Sequence, residues 1–139
     1  MTELTLPSRT LSVRIERAFA DVHDFLARPE NFAQWASGLG QSLRHAGGAW
    51  KAQTPAGDVT IVFAPSNAFG ILDHRVTLPN GAVVEVPMRV IANGGGAELL
   101  FTLFRQPDMT DESFAGDAAW VERDLARLKT LLEAKEVTP

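Results

Sequence analysis

One stretch near the end of the chain constrains everything before it. From Thr110 to Glu136, the residues Phe114, Ala118, Val121, Leu125, Leu128 and Leu132 follow one another in alternating steps of four and three. That spacing holds them on one face of a helix of about seven turns. Glu122, Arg123, Ala126, Lys129, Thr130 and Glu133 fall on the opposite, polar face. The start is marked by Thr110 as N-cap, by Asp111 and Glu112 where the helix dipole favours anions, and by Met109 and Phe114 at the spacing of a hydrophobic staple. A helix this long cannot bury such a stripe alone. The rest of the chain must supply a concave partner.

That partner reads mostly as antiparallel strands. Residues 1–9 read as an N-terminal arm. From Thr10 the pattern alternates, with Leu11, Val13 and Ile15 on one side and Ser12, Arg14 and Glu16 on the other, as in a half-buried strand. Two short helical pieces follow. Asp21 is placed to cap Val22–Ala27, and Pro29 suits the first turn of a second piece carrying Phe32 and Trp35, which Ser37-Gly38-Leu39-Gly40 stops. Gln41–Ala46 is a weak strand. Ala49–Thr54 and Gly57–Ala64 flank the turn Pro55-Ala56, and that turn sets Trp50 against Ile61 and Ala52 against Val59, so the apolar faces match. Gly70–Leu78, Ala82–Ala92 and Ala97–Arg105 form a meander through Pro79-Asn80-Gly81 and Asn93-Gly94-Gly95-Gly96.

The residues LSVRIERAFADVHDFLARPENFAQWA, with Val22, Phe25, Pro29, Phe32 and Trp35, together with FGILDHRVTLPNG, VPMRVIANGGGAELLFTLFRQPDMTDE and AWVERDLARLKTLLE, resemble the START-like (SRPBCC) superfamily over roughly residues 10–136. Within it they look like a bacterial branch described only in general, polyketide cyclase/dehydrase-like terms. The resemblance implies an α+β helix-grip fold: a curved antiparallel sheet of about seven strands, in the order β-α-α-β6-α, wrapped around a long C-terminal helix. It implies one domain over 10–139, and a hydrophobic molecule bound, carried or transformed between sheet and helix. It supplies no catalytic set.

Composition narrows the function. The 139 residues are 45% hydrophobic and 22% charged, and no apolar run approaches the roughly 20 residues of a membrane span. The N-terminus lacks a signal pattern and the chain has no cysteine, so a cytoplasmic protein without disulfide or thiolate chemistry is expected. A net charge of −4 with scattered basic residues argues against nucleic acid as partner. His23, His45 and His74 lack metal-ligand spacing, and Asn93-Gly94-Gly95-Gly96 joins two strands and is no phosphate loop. No metal and no cofactor is expected. A homodimer is left open.

The meander register selects the candidate site. Pairing across Pro79–Gly81 puts Val76 opposite Val84, His74 opposite Val86 and Leu72 opposite Met88. Pairing across Asn93–Gly96 puts Val90 opposite Leu99, Met88 opposite Phe101 and Val86 opposite Leu103. His74 is the titratable group that this register sends into the apolar face. Asp73, Arg75, Glu85, Arg89 and Glu98 fall on the other face, with Arg75 opposite Glu85. An inward imidazole suits anchoring a ligand or moving a proton, and it equally suits a buried, neutral, structural role. Asp117, Trp120, Asp124 and Leu131 lie along one edge of the helix stripe, where Asp124 is placed to orient His74 or to pair at the surface. Trp50, Phe63, Met88, Phe101, Trp120, Val121 and Leu125 are candidate walls, and Trp35 is a further inward aromatic. Arg105 has the inward parity, to greet an anionic head or to cap the mouth with Asp108, Asp111 or Asp117. The leading expectation is binding of a small hydrophobic or aromatic molecule. A metal-free cyclase or dehydratase using His74, with Asp124, is the enzymatic alternative, and a regulatory interaction module with a filled cavity is the third.

Overall fold

The structure, a computed structural model, describes residues 4–36, 43–54 and 57–134. Strand β1 (Ser8–Ile15) leads into helix α1 (Phe19–Leu26) and a 3-10 helix (Pro29–Gln34). Seven strands follow: β2 (Arg44–Ala46), β3 (Ala49–Thr54), β4 (Gly57–Phe63), β5 (His74–Thr77), β6 (Val83–Val86), β7 (Met88–Asn93) and β8 (Gly96–Phe104). Helix α2 (Asp111–Ala134) closes the chain. This is the helix-grip arrangement: α+β, with curved antiparallel sheets gripping a long C-terminal helix.

Local chemistry accounts for most boundaries. Thr110 caps α2, its hydroxyl accepting the Ser113 N–H at 3.0 Å. Pro29 opens the 3-10 helix at a position where a missing N–H costs nothing. Two expectations give way here. Strand β1 starts at Ser8, two residues earlier than the alternation suggested, because Arg9 and Ser8 continue the ladder to Leu103 and Phe104. Asp21 does not cap α1. The helix begins at Phe19, whose ring packs on His23 one turn later at 5.5 Å, and Asp21 sits in the first turn, paired with Arg17 at 3.2 Å. The stop at residues 37–40, the first residues of the weak strand at 41–42 and the turn at 55–56 lie outside the described residues.

The sheet departs from the expected seven strands at one residue. Ala82–Ala92 is two strands because Pro87 has no N–H to give the ladder. The result is a five-stranded sheet ordered β2-β3-β4-β5-β6 and a three-stranded sheet ordered β1-β8-β7. Val86 therefore leaves before it pairs with Leu103, and at the break the Pro87 carbonyl accepts the Thr102 N–H at 3.0 Å. The register nevertheless carries across. His74 faces Val86, and beyond the break the Leu72 N–H reaches the Met88 carbonyl at 2.8 Å, with Ile71 bridged to Arg89. Gly70 makes the approach feasible: its carbonyl accepts the Val90 N–H at 2.9 Å, its φ is +77°, and a Cβ there would lie 2.1 Å from the Val90 carbonyl oxygen.

The core lies between the two sheets and α2. Ile15, Val22, Ile61, Val90, Leu99, Leu128 and Leu132 are the largest of its fully buried side chains. Helix α2 also seals the free edge of β1: Lys129 Nζ donates to the Arg14 carbonyl at 2.7 Å, and the Glu133 carboxylate accepts the Glu16 N–H at 2.8 Å. Among the described residues no helix is long and apolar enough to cross a membrane.

Candidate functional site

Strand alternation places the central side chain. In β5, His74 and Val76 turn inward while Arg75 turns out to Glu85, which it meets at 2.7 Å. His74 is 6% exposed. Three phenylalanine rings surround its imidazole, with centroids 5.6 Å (Phe63), 6.0 Å (Phe32) and 6.3 Å (Phe101) away. Strand β4 supplies Phe63, the 3-10 helix Phe32, and β8 Phe101.

The ring is held from its own strand. Nδ1 lies 3.2 Å from the Leu72 carbonyl oxygen. A carbonyl only accepts, so Nδ1 carries the proton and the neutral ring presents Nε2 as an acceptor. Burial pushes the imidazole below its ordinary value near 6.5, opposed by the Leu72 bond and by the charge of Asp73. The group that holds Nδ1 is thus the Leu72 carbonyl. Asp73 points the other way, its carboxylate taking Arg89 Nε and Nη2 at 2.9 Å each and the Met88 N–H at 2.9 Å. The Arg89 guanidinium holds the Asp73 carboxyl below its ordinary value, with burial acting against it. This clip ties the residue before His74 to Met88 and Arg89, the two residues that follow Pro87. Asp73 and Arg89 were both expected on the outer face, and the register that sets Leu72 against Met88 makes them diagonal neighbours there.

Two cavities meet at His74. The inner one, of about 80 Å³, lies between the end of α1, the 3-10 helix and the loop at 64–67, with Phe63, Leu72 and Met88 among its walls. The outer one, of about 180 Å³, lies beneath α2 and is lined by Val76, Val86, Phe101, Trp120, Val121 and Asp124. Phe32, Trp35 and His74 line both, and so form the partition between them. Neither cavity, nor both together, reaches the roughly 300 Å³ at which pockets for drug-sized ligands begin. The outer one exceeds the ~150 Å³ of an apolar cavity known to hold benzene.

Of the candidate residues, His74, Phe63, Met88, Phe101, Trp120, Val121 and Asp124 therefore border one space or the other. Asp124 is 9% exposed, at the helix edge where the stripe geometry put it. Three candidates line neither cavity. Trp50 stacks on His45 at 5.1 Å, because β3 lies two strands away from β5. Leu125, one residue beyond Asp124, turns into the packed core. Arg105 is captured locally: its guanidinium donates to the Met109 carbonyl and pairs with Asp111, closing the turn into α2. Phe32, with Trp35, is the aromatic partner that the strand argument did not single out as a wall. Its spacing to Trp35 on a turn opened by Pro29 was the available signal.

No protein-family model and no curated protein sequence matches this chain. Solved structures do. DynU16, from the dynemicin biosynthetic locus, superposes with a TM-score of 0.68 at 17% identity, over 91% of this chain and 47% of its own, so this chain spans about half of DynU16. The Aha1 dimer of Colwellia psychrerythraea gives 0.72 at 14% identity, over 95% and 100%. The protein XoxI of Bacillus cereus gives 0.74 at 12% identity, over 93% and 97%. At these identities the likeness carries the fold alone, and it agrees with the helix-grip arrangement described above.

Proposed function

We propose that this protein binds a small hydrophobic or aromatic molecule, about one ring in size, in the cavity beneath α2, with His74 as its polar anchor. The observation that carries this reading is the buried imidazole at the junction of two apolar spaces. Its Nδ1 is committed to Leu72, which leaves Nε2 as the acceptor on offer. A ligand hydroxyl is the group that would donate to it.

The test is ligand-observed NMR on the full chain with phenol and toluene. Both are expected to bind, phenol more tightly. His74→Ala should weaken phenol about 5-fold, the worth of one neutral hydrogen bond, while leaving toluene nearly unchanged. Failure of both to bind, with nothing extracted from gently purified protein in native mass spectrometry, would sink the reading in favour of an interaction module.

A second reading is favoured by Asp124 and His74 lining the same cavity. In it the protein is a cyclase-like enzyme, and Nε2 takes a proton from a carbon next to a carbonyl in an aldol-type cyclisation or dehydration. The proposed tautomer makes His74 a base at the outset and not an acid. DynU16, as part of a biosynthetic locus, is in keeping with this reading without choosing it.

A further inference from the structure

The outer cavity has a charge asymmetry that narrows its ligand beyond the reading above, on which this inference rests. Among the described residues its polar lining consists of His74, Asp124, Trp35 and Trp120, and no lysine or arginine is part of it. A neutral His74 offers an acceptor. A carboxylate accepts only, and its two oxygens have room for about four hydrogen bonds, so Asp124 can accept from a ligand beside the interaction it already makes. The nearby guanidinium of Arg123 lies over the Trp120 ring at 5.6 Å, on an exposed residue outside the lining. Indole N–H groups can serve a neutral acceptor, yet they neutralise no charge.

We infer that the outer cavity selects aromatic molecules that carry a hydrogen-bond donor or a positive charge, such as phenols, aryl alcohols and arylalkyl amines, and rejects aryl carboxylates. An anion entering this space would share a poorly solvated volume with the Asp124 carboxylate and find no cation there. A donor or an ammonium would find one carboxylate and one imidazole lone pair.

A one-ring series of nearly constant size separates the outcomes: benzyl alcohol, benzylamine, benzoate and toluene, titrated into the full chain at neutral pH and followed by ligand-observed NMR. Benzyl alcohol and benzylamine are expected to bind at least about 10-fold more tightly than benzoate, as like charges a few ångströms apart in a protein interior require. Asp124→Asn keeps the shape and removes the charge. It should narrow the gap between benzylamine and benzoate about 10-fold or more, with affinities taken relative to toluene in the same variant. Equal affinity across the series, or a preference for benzoate, overturns this inference and leaves the cavity reading standing. Failure of toluene and benzyl alcohol to bind at all removes the cavity reading, and this inference with it. The wild-type series decides the matter even if Asp124→Asn does not fold.

Discussion

The C-terminal and N-terminal halves of α2 meet the sheet in different ways. Leu125, Leu128 and Leu132 are all but inaccessible, and the helix backbone and side chains there are tied to the end of β1 and the two residues after it: Arg17 Nη1 to the Leu132 carbonyl at 2.8 Å, Lys129 to Arg14, and Glu133 to Glu16. The N-terminal half sits over a cavity. Val121 is half-buried, Trp120 is 47% exposed, and Asp124 marks the change from one regime to the other. The same amphipathic stripe thus serves as an anchor along one half and a roof along the other. The lesson is that hydrophobic periodicity says which face turns inward, while the number of side chains waiting on the opposite side decides whether that face is packed.

The largest expected effect tests the anchor. Leu128→Ala should destabilise the protein by about 2–5 kcal/mol, the range for deleting a fully buried leucine. Val121→Ala, which only enlarges a space already present, should cost about 1 kcal/mol. Urea unfolding of both variants measures the contrast. Similar losses at the two positions would mean that α2 is gripped evenly and that no roof exists.

What could be read from the chain divides along the same line. The β3–β4 ladder, Trp50 to Ile61 and Ala52 to Val59, was fixed by turn length and alternation, both local properties. So were the inward parity of His74 and the Arg75–Glu85 pair. Asp124 was legible as an edge residue because 100° per residue is a geometric constant of the helix. The break at Pro87 was visible as a residue type, but not as a division of the sheet, since a proline on an edge strand can leave pairing intact. Arg105 had the right parity and the wrong destination, because a backbone carbonyl and a carboxylate four and six residues on outcompete a distant cavity. Phe32 and Trp35 became cavity walls only through the docking of the 3-10 helix against β5, a tertiary event with no period of its own.

A mid-sized effect tests whether the space under the roof is as dry as the burial of His74 implies. Burial favours the neutral imidazole in the fold, while the unfolded chain protonates it near 6.5. The penalty is therefore absent above pH 6.5. It grows as pH falls through that value, by at most about 1.4 kcal/mol per pH unit, and levels off below the lowered folded value. Replacing the ring by one that cannot titrate, His74→Phe, should remove this slope. Unfolding free energies between pH 7.5 and 5.5, taken for both proteins, isolate the difference. Parallel pH profiles would mean that water reaches Nε2 freely, and the N-terminal half of α2 would then be an open flap.

The smallest effect probes a tie between the roof and β1. Arg9 Nη2 meets the Glu122 carboxylate at 2.9 Å, with both side chains about half exposed. Such a pair gains little Coulomb energy in water, loses side-chain freedom on both partners, and is screened by salt. Arg9→Ala should cost no more than about 0.5 kcal/mol at physiological salt, and less at 1 M. The anchor ties differ in kind, since Lys129 and Glu133 take up backbone groups of an edge strand that would otherwise need water. A salt-insensitive loss above about 1 kcal/mol for Arg9→Ala would move Glu122 into the anchored part of the helix. The boundary between anchor and roof would then lie one turn nearer the N-terminus of α2, with Val121 and the wall of the outer cavity on the anchored side.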